Sequence, residues 1–235
     1  MRKAIAAAML LSLAILPQVA KADVFLADFT GFDWTWPNNS CLDCTNQYYE
    51  AQGTIGAVNP TFLNYNYAAN QYTFILGDNL FFSSADTFGT IVVAHYVNGS
   101  IHFICDSKTT GTAATFNYLS DCDPFFDRLT FADGDTTLSG NFSSFDIVFD
   151  TVNGDGNLAG LTNWYGGSQI GNIPVNQRTG WTFGAIGIRT GITPCGYHWQ
   201  VDGECYLQET VNVRPATWGQ IKNLLNPNAR VQIRR

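Results

Sequence analysis

The sequence predicts an all-β protein: a single antiparallel β-sandwich of jelly-roll type, followed by a short C-terminal amphipathic helix. Two observations support this prediction. Short alternating or continuous apolar runs recur between clusters of Gly, Asn, Asp and Ser. The dipeptides Asn98-Gly99 and Asp202-Gly203 each separate two such runs, and both favour the positive φ angles of a tight hairpin turn. We therefore expect one domain over residues 23–213, with a β-hairpin at each dipeptide.

The N-terminal residues have the pattern of a secretory signal peptide. A positively charged start precedes an apolar run over residues 4–16, and Ala20-Lys21-Ala22 matches a small-x-small cleavage site. That run is too short to span a bilayer as a helix, and no later stretch is long enough either, so no transmembrane span is predicted. We expect residues 1–22 to be removed and the mature chain to be exported. It would act outside the cell or at the cell surface, with the periplasm as the alternative.

Seven segments of the body are predicted strands, because their apolar residues alternate or run together between turn residues. In chain order they are ADVFLADF, QYTFILG, GTIVVAHYV, GSIHFICD, FSSFDIVFD, GWTFGAIGIRT and YHWQV. Many short strands within about 190 residues favour one sandwich over two domains.

Charge is distributed unevenly along the chain. Residues 23–213 carry four basic residues and all 19 acidic ones, a net charge of −15, whereas residues 214–235 carry five basic residues and no acid. An acidic body repels nucleic acid and anionic lipid. The charge pattern therefore argues against a nucleic-acid partner.

The six cysteines of an exported chain are expected to form disulfides. The simplest connectivity pairs sequence neighbours: Cys41 with Cys44, Cys105 with Cys122, and Cys195 with Cys205. A hairpin at Asp202-Gly203 would place Gln200 opposite Cys205, so the last pair requires an irregular strand start. The alternative for Cys41-x-x-Cys44 is a zinc site, because the spacing suits two thiolate ligands.

Two histidines are candidates for metal binding. The predicted hairpin at Asn98-Gly99 places His95 directly opposite His102. Opposed residues have Cβ atoms about 5 Å apart on one face of a sheet, which is close enough to share a metal ion. The alternative is a polar pair on the sheet surface, and the sequence identifies no third ligand. His198 alternates with aromatic residues and is predicted to be structural.

Loop acids suggest calcium as the one candidate cofactor. The segment DCDPFFD carries Asp121, Asp123 and Asp127, and DTVNGDGN carries Asp150, Asn153, Asp155 and Asn157. Both resemble calcium loops only loosely, because neither has the spacing of an EF-hand or its final Glu. The alternative is that these acids are solvated turn residues.

Two aromatic pairs are candidates for glycan contact. Trp34 and Trp36 lie two residues apart before a loop, on one face if the chain is extended, and Trp164 and Tyr165 lie among loop residues. Flat apolar rings stack on the C–H faces of sugars, while neighbouring amides bind hydroxyl groups. The alternative is that the tryptophans fill the core.

The second half of the chain resembles a group of uncharacterised exported bacterial proteins. The resemblance rests on residues 129–170, on GWTFGAIGI, on GYHWQVDGECYLQE and on ATWGQIKNLL. Proteins of this group combine a β-sandwich body with a C-terminal T-W-G-x-I-K-x-L tail. This chain departs from them by continuing through NPNARVQIRR. The resemblance implies a fold and export, and it implies no activity.

Residues 214–235 are predicted to be a basic tail that contains a short amphipathic helix. Thr217 followed by Gln220 is a capping-box pattern, and Asn226-Pro227 ends the helix. The predicted attachment residues are Trp218, Ile221, Lys222, Leu224 and Leu225. Because so short a helix is marginal alone in water, it needs a surface to lie on. That surface is either the acidic body or another molecule, for which the tail would be a sorting, anchoring or assembly element.

Two classes of function fit these observations. The preferred one is an exported non-catalytic module, structural, adhesive or glycan-binding, attached or assembled through its tail. The alternative is a secreted polysaccharide-active hydrolase that uses loop carboxylates about 5–10 Å apart. A concave groove lined by rings with two facing acids would favour the second class, whereas a filled, flat sandwich would favour the first. For a Ser-His-Asp arrangement the sequence offers no G-x-S-x-G elbow.

Overall fold

The computed structural model describes residues 23–37, 41–116, 122–189 and 193–207. The predicted signal peptide and the predicted tail helix lie outside the described residues. Within them the strands are β1 (Val24–Trp36), β2 (Tyr48–Val58), β3 (Asn70–Gly77), β4 (Phe81–Phe88), β5 (Ile91–Val97), β6 (Ser100–Ser107), β7 (Asp135–Asp150), β8 (Gly156–Gly166), β9 (Trp181–Ile188) and β10 (Gln200–Leu207). One α-helix, α1 (Pro124–Phe131), and two 3-10 helices, Ile170–Asn172 and Val175–Gln177, complete the elements. None of the helices in these four ranges has the length and apolarity needed to cross a bilayer.

Every strand pair is antiparallel, which confirms the all-β class, but the predicted sandwich is wrong because the sheet closes on itself. Around the resulting eight-stranded barrel the order is β1, β2, β3, β6, β7, β8, β9, β10 and back to β1. The β4–β5 hairpin attaches to the second half of β7 and touches β2 at one residue pair. Closure leaves these eight strands without a free edge. Hydrophobic periodicity predicts the strands but does not indicate whether their sheet closes.

Aromatic rings fill the barrel. The Phe29 ring centroid lies 4.8 Å from that of Phe183 and 4.9 Å from that of Phe74, and all three side chains are fully buried. An interior of eight strands is just wide enough for such side chains. Trp164, predicted to lie in an exposed loop, is part of β8 and packs against Phe103 in this interior, with its ring 5.3 Å away.

Asn98 and Gly99 have the predicted backbone conformation but do not form the predicted hairpin. Their φ angles are 62° and 86°. The flanking strands β5 and β6 nevertheless do not pair with each other: β5 pairs with the second half of β7 and β6 with its first half. Because β7 is 16 residues long, it offers one edge to both strands, and the dipeptide is a kink between them.

Asp202-Gly203 is not a turn either. Both residues lie inside β10, where Gly203 pairs with Phe29 of β1 and Ala185 of β9. A Cβ atom at residue 203 would lie 2.3 Å from the carbonyl oxygen of Gly184. The glycine is therefore required by close contact between neighbouring strands, a use of glycine that the sequence does not distinguish from a turn.

Helix α1, which was not predicted, covers the outer face of β2 and β3. Asp123 is its N-cap and accepts a hydrogen bond from the backbone N–H of Phe125 at 3.0 Å, and Pro124 occupies the first helical position. This Asp-Pro pair is a helix start signal that sequence reasoning missed. Phe131 buries the end of the helix against Ile75 and Ile104. Asp123 thus caps a helix, and Asp121 lies outside the described residues.

Two disulfides are present, and only one has the predicted partners. Cys41–Cys44 is formed as expected, so its thiolates are not available to zinc. Cys122 pairs with Cys195, 73 residues away, which places the start of α1 beside the segment that precedes β10. The predicted Cys105–Cys122 and Cys195–Cys205 pairs are wrong, because Cys122 and Cys195 are bonded to each other. Cys105 and Cys205 are free thiols, and Cys205 lies fully buried inside the barrel.

Candidate binding cleft

A cavity of about 300 Å³ opens on the outer face of the barrel where β1 ends. The register of β1 and β2 builds it, since Trp36 lies opposite Tyr48 and Trp34 opposite Glu50. Alternate residues of a strand share one face, so all four side chains point outward. The lining residues of this cleft are Trp36, Tyr48, Glu50, Asn79 and Phe125.

Of the three tryptophans predicted to contact a glycan, Trp34 and Trp36 lie on one face, as expected, but only Trp36 is accessible. Trp34 is covered by Phe125 and Tyr197, whose ring centroids lie 6.0 Å and 5.5 Å away, and it is 2% exposed. Trp36, one step further along the strand, is 47% exposed. Trp34 therefore packs under α1 as part of the structure, and Trp36 belongs to the cleft.

Three rings form the walls of the cleft. The Trp36 and Tyr48 centroids lie 5.5 Å apart with 40° between the ring planes, and the Trp36 and Phe125 centroids lie 6.3 Å apart with the planes at 88°. Phe125 remains 39% exposed. The rings thus form a corner that is open to solvent. Tyr165, the other predicted contact residue that is accessible, is 61% exposed and lies outside the cleft.

Glu50 supplies the carboxylate of the cleft. Its Oε2 accepts a hydrogen bond from Nη1 of Arg128 on α1, while Nη2 of the same guanidinium donates to Asp78. Burial raises the pKa of Glu50 to about 7, and Arg128 opposes that shift only in part. The pKa of Asp78 falls to about 2, chiefly because of its hydrogen bond with His102 and also because of Arg128.

Behind this pair lies a Ser-His-Asp contact that the sequence did not reveal. His102 Nε2 lies 3.2 Å from Asp78 Oδ2, and its Nδ1 lies 3.0 Å from the hydroxyl of Ser139. Ser139 is 7% exposed and sits in mid-strand, paired with His102 on one side and Gly166 on the other. Acyl transfer needs free N–H donors beside the nucleophile, and here the sheet ladders occupy the surrounding amides. We interpret this contact as a structural network that positions Asp78.

His95 and His102 are not brought together. The inference that they face each other depended on the hairpin at Asn98-Gly99, which does not form. Instead His95 lies between two carboxylates, with Nδ1 2.6 Å from Asp146 and Nε2 3.3 Å from Asp86. These contacts, that with Asp146 above all, raise the pKa of His95. Each histidine therefore has carboxylate partners of its own.

The loop acids predicted to hold calcium take part in local hydrogen bonds. Asp150 accepts a hydrogen bond from the backbone N–H of Val152 at 2.9 Å and another from the side chain of Asn153 at 2.7 Å. Asp127 is buried and accepts a hydrogen bond from the Tyr197 hydroxyl at 2.9 Å. Asp150 thus stabilises a turn, and Asp127 joins α1 to Tyr197.

A larger, more open groove of about 540 Å³ lies on the outer face of β1, β8, β9 and β10. Asp28 and Glu204 lie directly opposite each other there, and Asp202 and Tyr206 line it as well. The groove thus has facing acids and one ring. All three carboxylates are solvent-exposed, however, whereas a general acid is usually held in a buried environment.

One further carboxyl is buried within the barrel wall. Asp33 is fully buried, and its Oδ1 accepts a hydrogen bond from the backbone N–H of Trp199 at 2.6 Å. Burial raises its pKa to about 7, although the nearby Tyr49 hydroxyl and the hydrogen bond from Trp199 oppose the shift. Because no solvent reaches it, we assign Asp33 to the structure that joins β1 to the segment before β10.

The fold and the cleft define an all-β barrel protein with an aromatic corner and a partly buried carboxyl on its outer face. No protein-family model, curated protein or solved structure matches the chain. The cleft is therefore the feature of the structure that bears on its function.

Proposed function

We propose that this chain is an exported, non-catalytic glycan-binding module that is attached or assembled through its C-terminal tail. One observation carries the binding role: Trp36, Tyr48 and Phe125 surround a solvent-open cavity whose polar groups are Glu50 and Asn79. Rings provide flat apolar surface for the C–H face of a pyranose, and the carboxylate and amide are placed to bind its hydroxyl groups.

The energetics favour a ligand at this corner over further burial. Trp36 and Phe125 keep 47% and 39% of their surface in water, and covering apolar surface is worth roughly 25 cal/mol per Å². A sugar stacked on either ring would gain this energy without any change in the barrel. The two disulfides and the predicted signal peptide support export.

The second candidate function is a polysaccharide hydrolase that uses the groove on β10. The facing pair Asp28 and Glu204 favours it, since opposed residues on neighbouring strands suit the short carboxylate separation of a retaining glycosidase. The glycan-binding function is preferred because its cleft combines several rings with a partly buried carboxyl.

The proposal is tested by measuring the binding of oligosaccharides with tryptophan fluorescence and calorimetry. Trp36→Ala should weaken binding about tenfold or more, the usual effect of removing a central aromatic anchor. Tyr165→Ala removes a more exposed ring outside the cleft and should leave the affinity unchanged. If both variants bind as the unmodified chain does, the cleft is not the glycan site. Release of reducing sugar that depends on Glu204 would favour the hydrolase.

A further inference from the structure

We infer that the cleft selects a cationic glycan, one whose sugar units carry a free amino group, with Glu50 receiving the ammonium. This inference rests on the proposed glycan-binding function and names the substrate class. Three features of the structure carry it: the orientation of the rings, the position of the carboxylate, and the charge of the surrounding body.

The rings suit a cation as well as an apolar face. An ammonium group within about 6 Å of an aromatic centroid is attracted by the negative face of the ring. Trp36 and Phe125 stand at 88° to each other, with Tyr48 beside Trp36. A group in this corner therefore meets the face of one ring while the sugar to which it is bonded lies on another.

Among the described residues that line the cleft, Glu50 is the only one with a carboxylate. The charged groups behind it are Arg128, which donates to Glu50 and Asp78, and His102, which contacts Asp78. Two carboxylates thus share one guanidinium, and an ammonium bound beside Glu50 would favour the ionised form of this carboxyl. A neutral hydroxyl in the same place would not supply this charge.

The net charge of the body also favours a cationic ligand. Residues 23–213 carry a net charge of −15, which draws cationic ligands towards the surface and repels glycans with carboxyl or sulfate groups. The cavity, at about 300 Å³, is at the lower end of the size range of ligand sites, about 300–1,000 Å³. It therefore holds one or two sugar units, so selectivity should be visible with short oligosaccharides.

The test compares three β-1,4-linked glucose-type oligosaccharides of equal length that differ only at carbon 2, which carries an ammonium, an acetamido or a hydroxyl group. With the unmodified chain, we expect the ammonium form to bind at least tenfold more tightly than the other two, and salt to reduce that preference. Glu50→Gln should remove the preference. Asp133→Asn removes an exposed carboxylate outside the cleft and should leave the preference intact.

Each alternative result has a distinct meaning. Equal affinity for the three ligands, or preference for the acetamido form, overturns the cationic selectivity and leaves glycan binding in place. Failure of all three ligands to bind contradicts the proposed function itself. If Asp133→Asn lowers the preference as much as Glu50→Gln does, the ligand is held by the general surface charge and the inference is wrong. Trp36→Leu provides a second variant that does not disturb the Glu50–Arg128 pair, and it should weaken the ammonium ligand more than the hydroxyl one.

Discussion

Arg128 on α1 donates a hydrogen bond to Glu50 on β2, across 78 residues of sequence. The pair fixes the helix over the outer face of the barrel and sets the charge of the cleft. It lies close to the protein–solvent boundary, with side-chain exposures of 20% and 11%. The same contact therefore bears on both stability and binding.

Arg128→Met should destabilise the chain at neutral pH, because it leaves Glu50 and Asp78 without their shared donor. We expect the free energy of unfolding to fall by about 1–3 kcal/mol, the usual cost of a polar group that loses its partner on burial. The loss should shrink as the pH falls below 7, since Glu50 then becomes neutral. Urea unfolding measures it, and a smaller loss in Glu50→Gln/Arg128→Met than in Arg128→Met alone would show that the unpaired carboxylate is the cause.

Asp33 should make the chain less stable as the pH rises. Its pKa is about 7 in the folded chain against an ordinary value of 3.8, so between these pH values the folded state holds a proton that the unfolded state has released. The stabilisation is fully present below about pH 4 and is lost as the pH rises through about 7. Asp33→Asn mimics the protonated form and should raise the unfolding free energy at about pH 8 by roughly 2–4 kcal/mol.

The same variant should leave stability nearly unchanged at about pH 4, where the native carboxyl is already protonated. The pKa of Glu50 is also raised, so the stability of the variant should still fall with rising pH, but less steeply than that of the unmodified chain. Chemical unfolding across this pH range, with the same denaturant slope for both proteins, provides the measurement. An equal gain at both pH values would mean that titration of Asp33 is not responsible.

The disulfides should differ greatly in their contribution. Cys122→Ser/Cys195→Ser opens a loop of 73 residues and should cost about 4 kcal/mol on the chain-entropy account. Cys41→Ser/Cys44→Ser opens a loop of three residues and should cost clearly less. Alkylation of the denatured, unreduced chain should label Cys105 and Cys205 alone, and in the native chain the buried Cys205 should remain unlabelled. Absence of any free thiol would contradict the pairing.

Deletion of residues 214–235 tests the predicted attachment tail. The barrel described here ends at Leu207, so the truncated chain should keep its secondary structure and melting temperature. It should, however, be released from its cell-surface or assembly partner, because it loses five basic residues and the predicted apolar stripe. Circular dichroism and cell fractionation report the two effects. Unfolding, or unchanged localisation, would show that the tail has no attachment role.

The turn dipeptides show how far sequence reasoning reached. Asn98 and Gly99 take positive φ angles as predicted, because these angles depend on the residues themselves. Which strands they join depends on the long edge of β7, which begins 36 residues beyond Gly99. Likewise, the sequence predicts a turn at Gly203, whereas the role of this glycine depends on the carbonyl of Gly184 on a neighbouring strand.

The cleft likewise has one property that the sequence predicts and others that depend on the tertiary structure. The alternation of β1 placed Trp34 and Trp36 on one face in the prediction, and the structure agrees. Trp34 is covered and Trp36 is open because of α1, a helix that begins 88 residues after Trp36 and is held in part by Arg128. The pKa of Glu50 follows from this cover, since burial is its largest cause.

The sequence by itself determined the all-β class, the alternation of faces, the Cys41–Cys44 pair and the charge of the body. These properties depend on composition or on residues a few positions apart. Only the tertiary structure decided the closure of the sheet, the Cys122–Cys195 pair and the cleft around Trp36 and Glu50. Each of these is a contact between segments distant in the chain, and its free energy depends on the packing of the whole barrel, which no local pattern encodes.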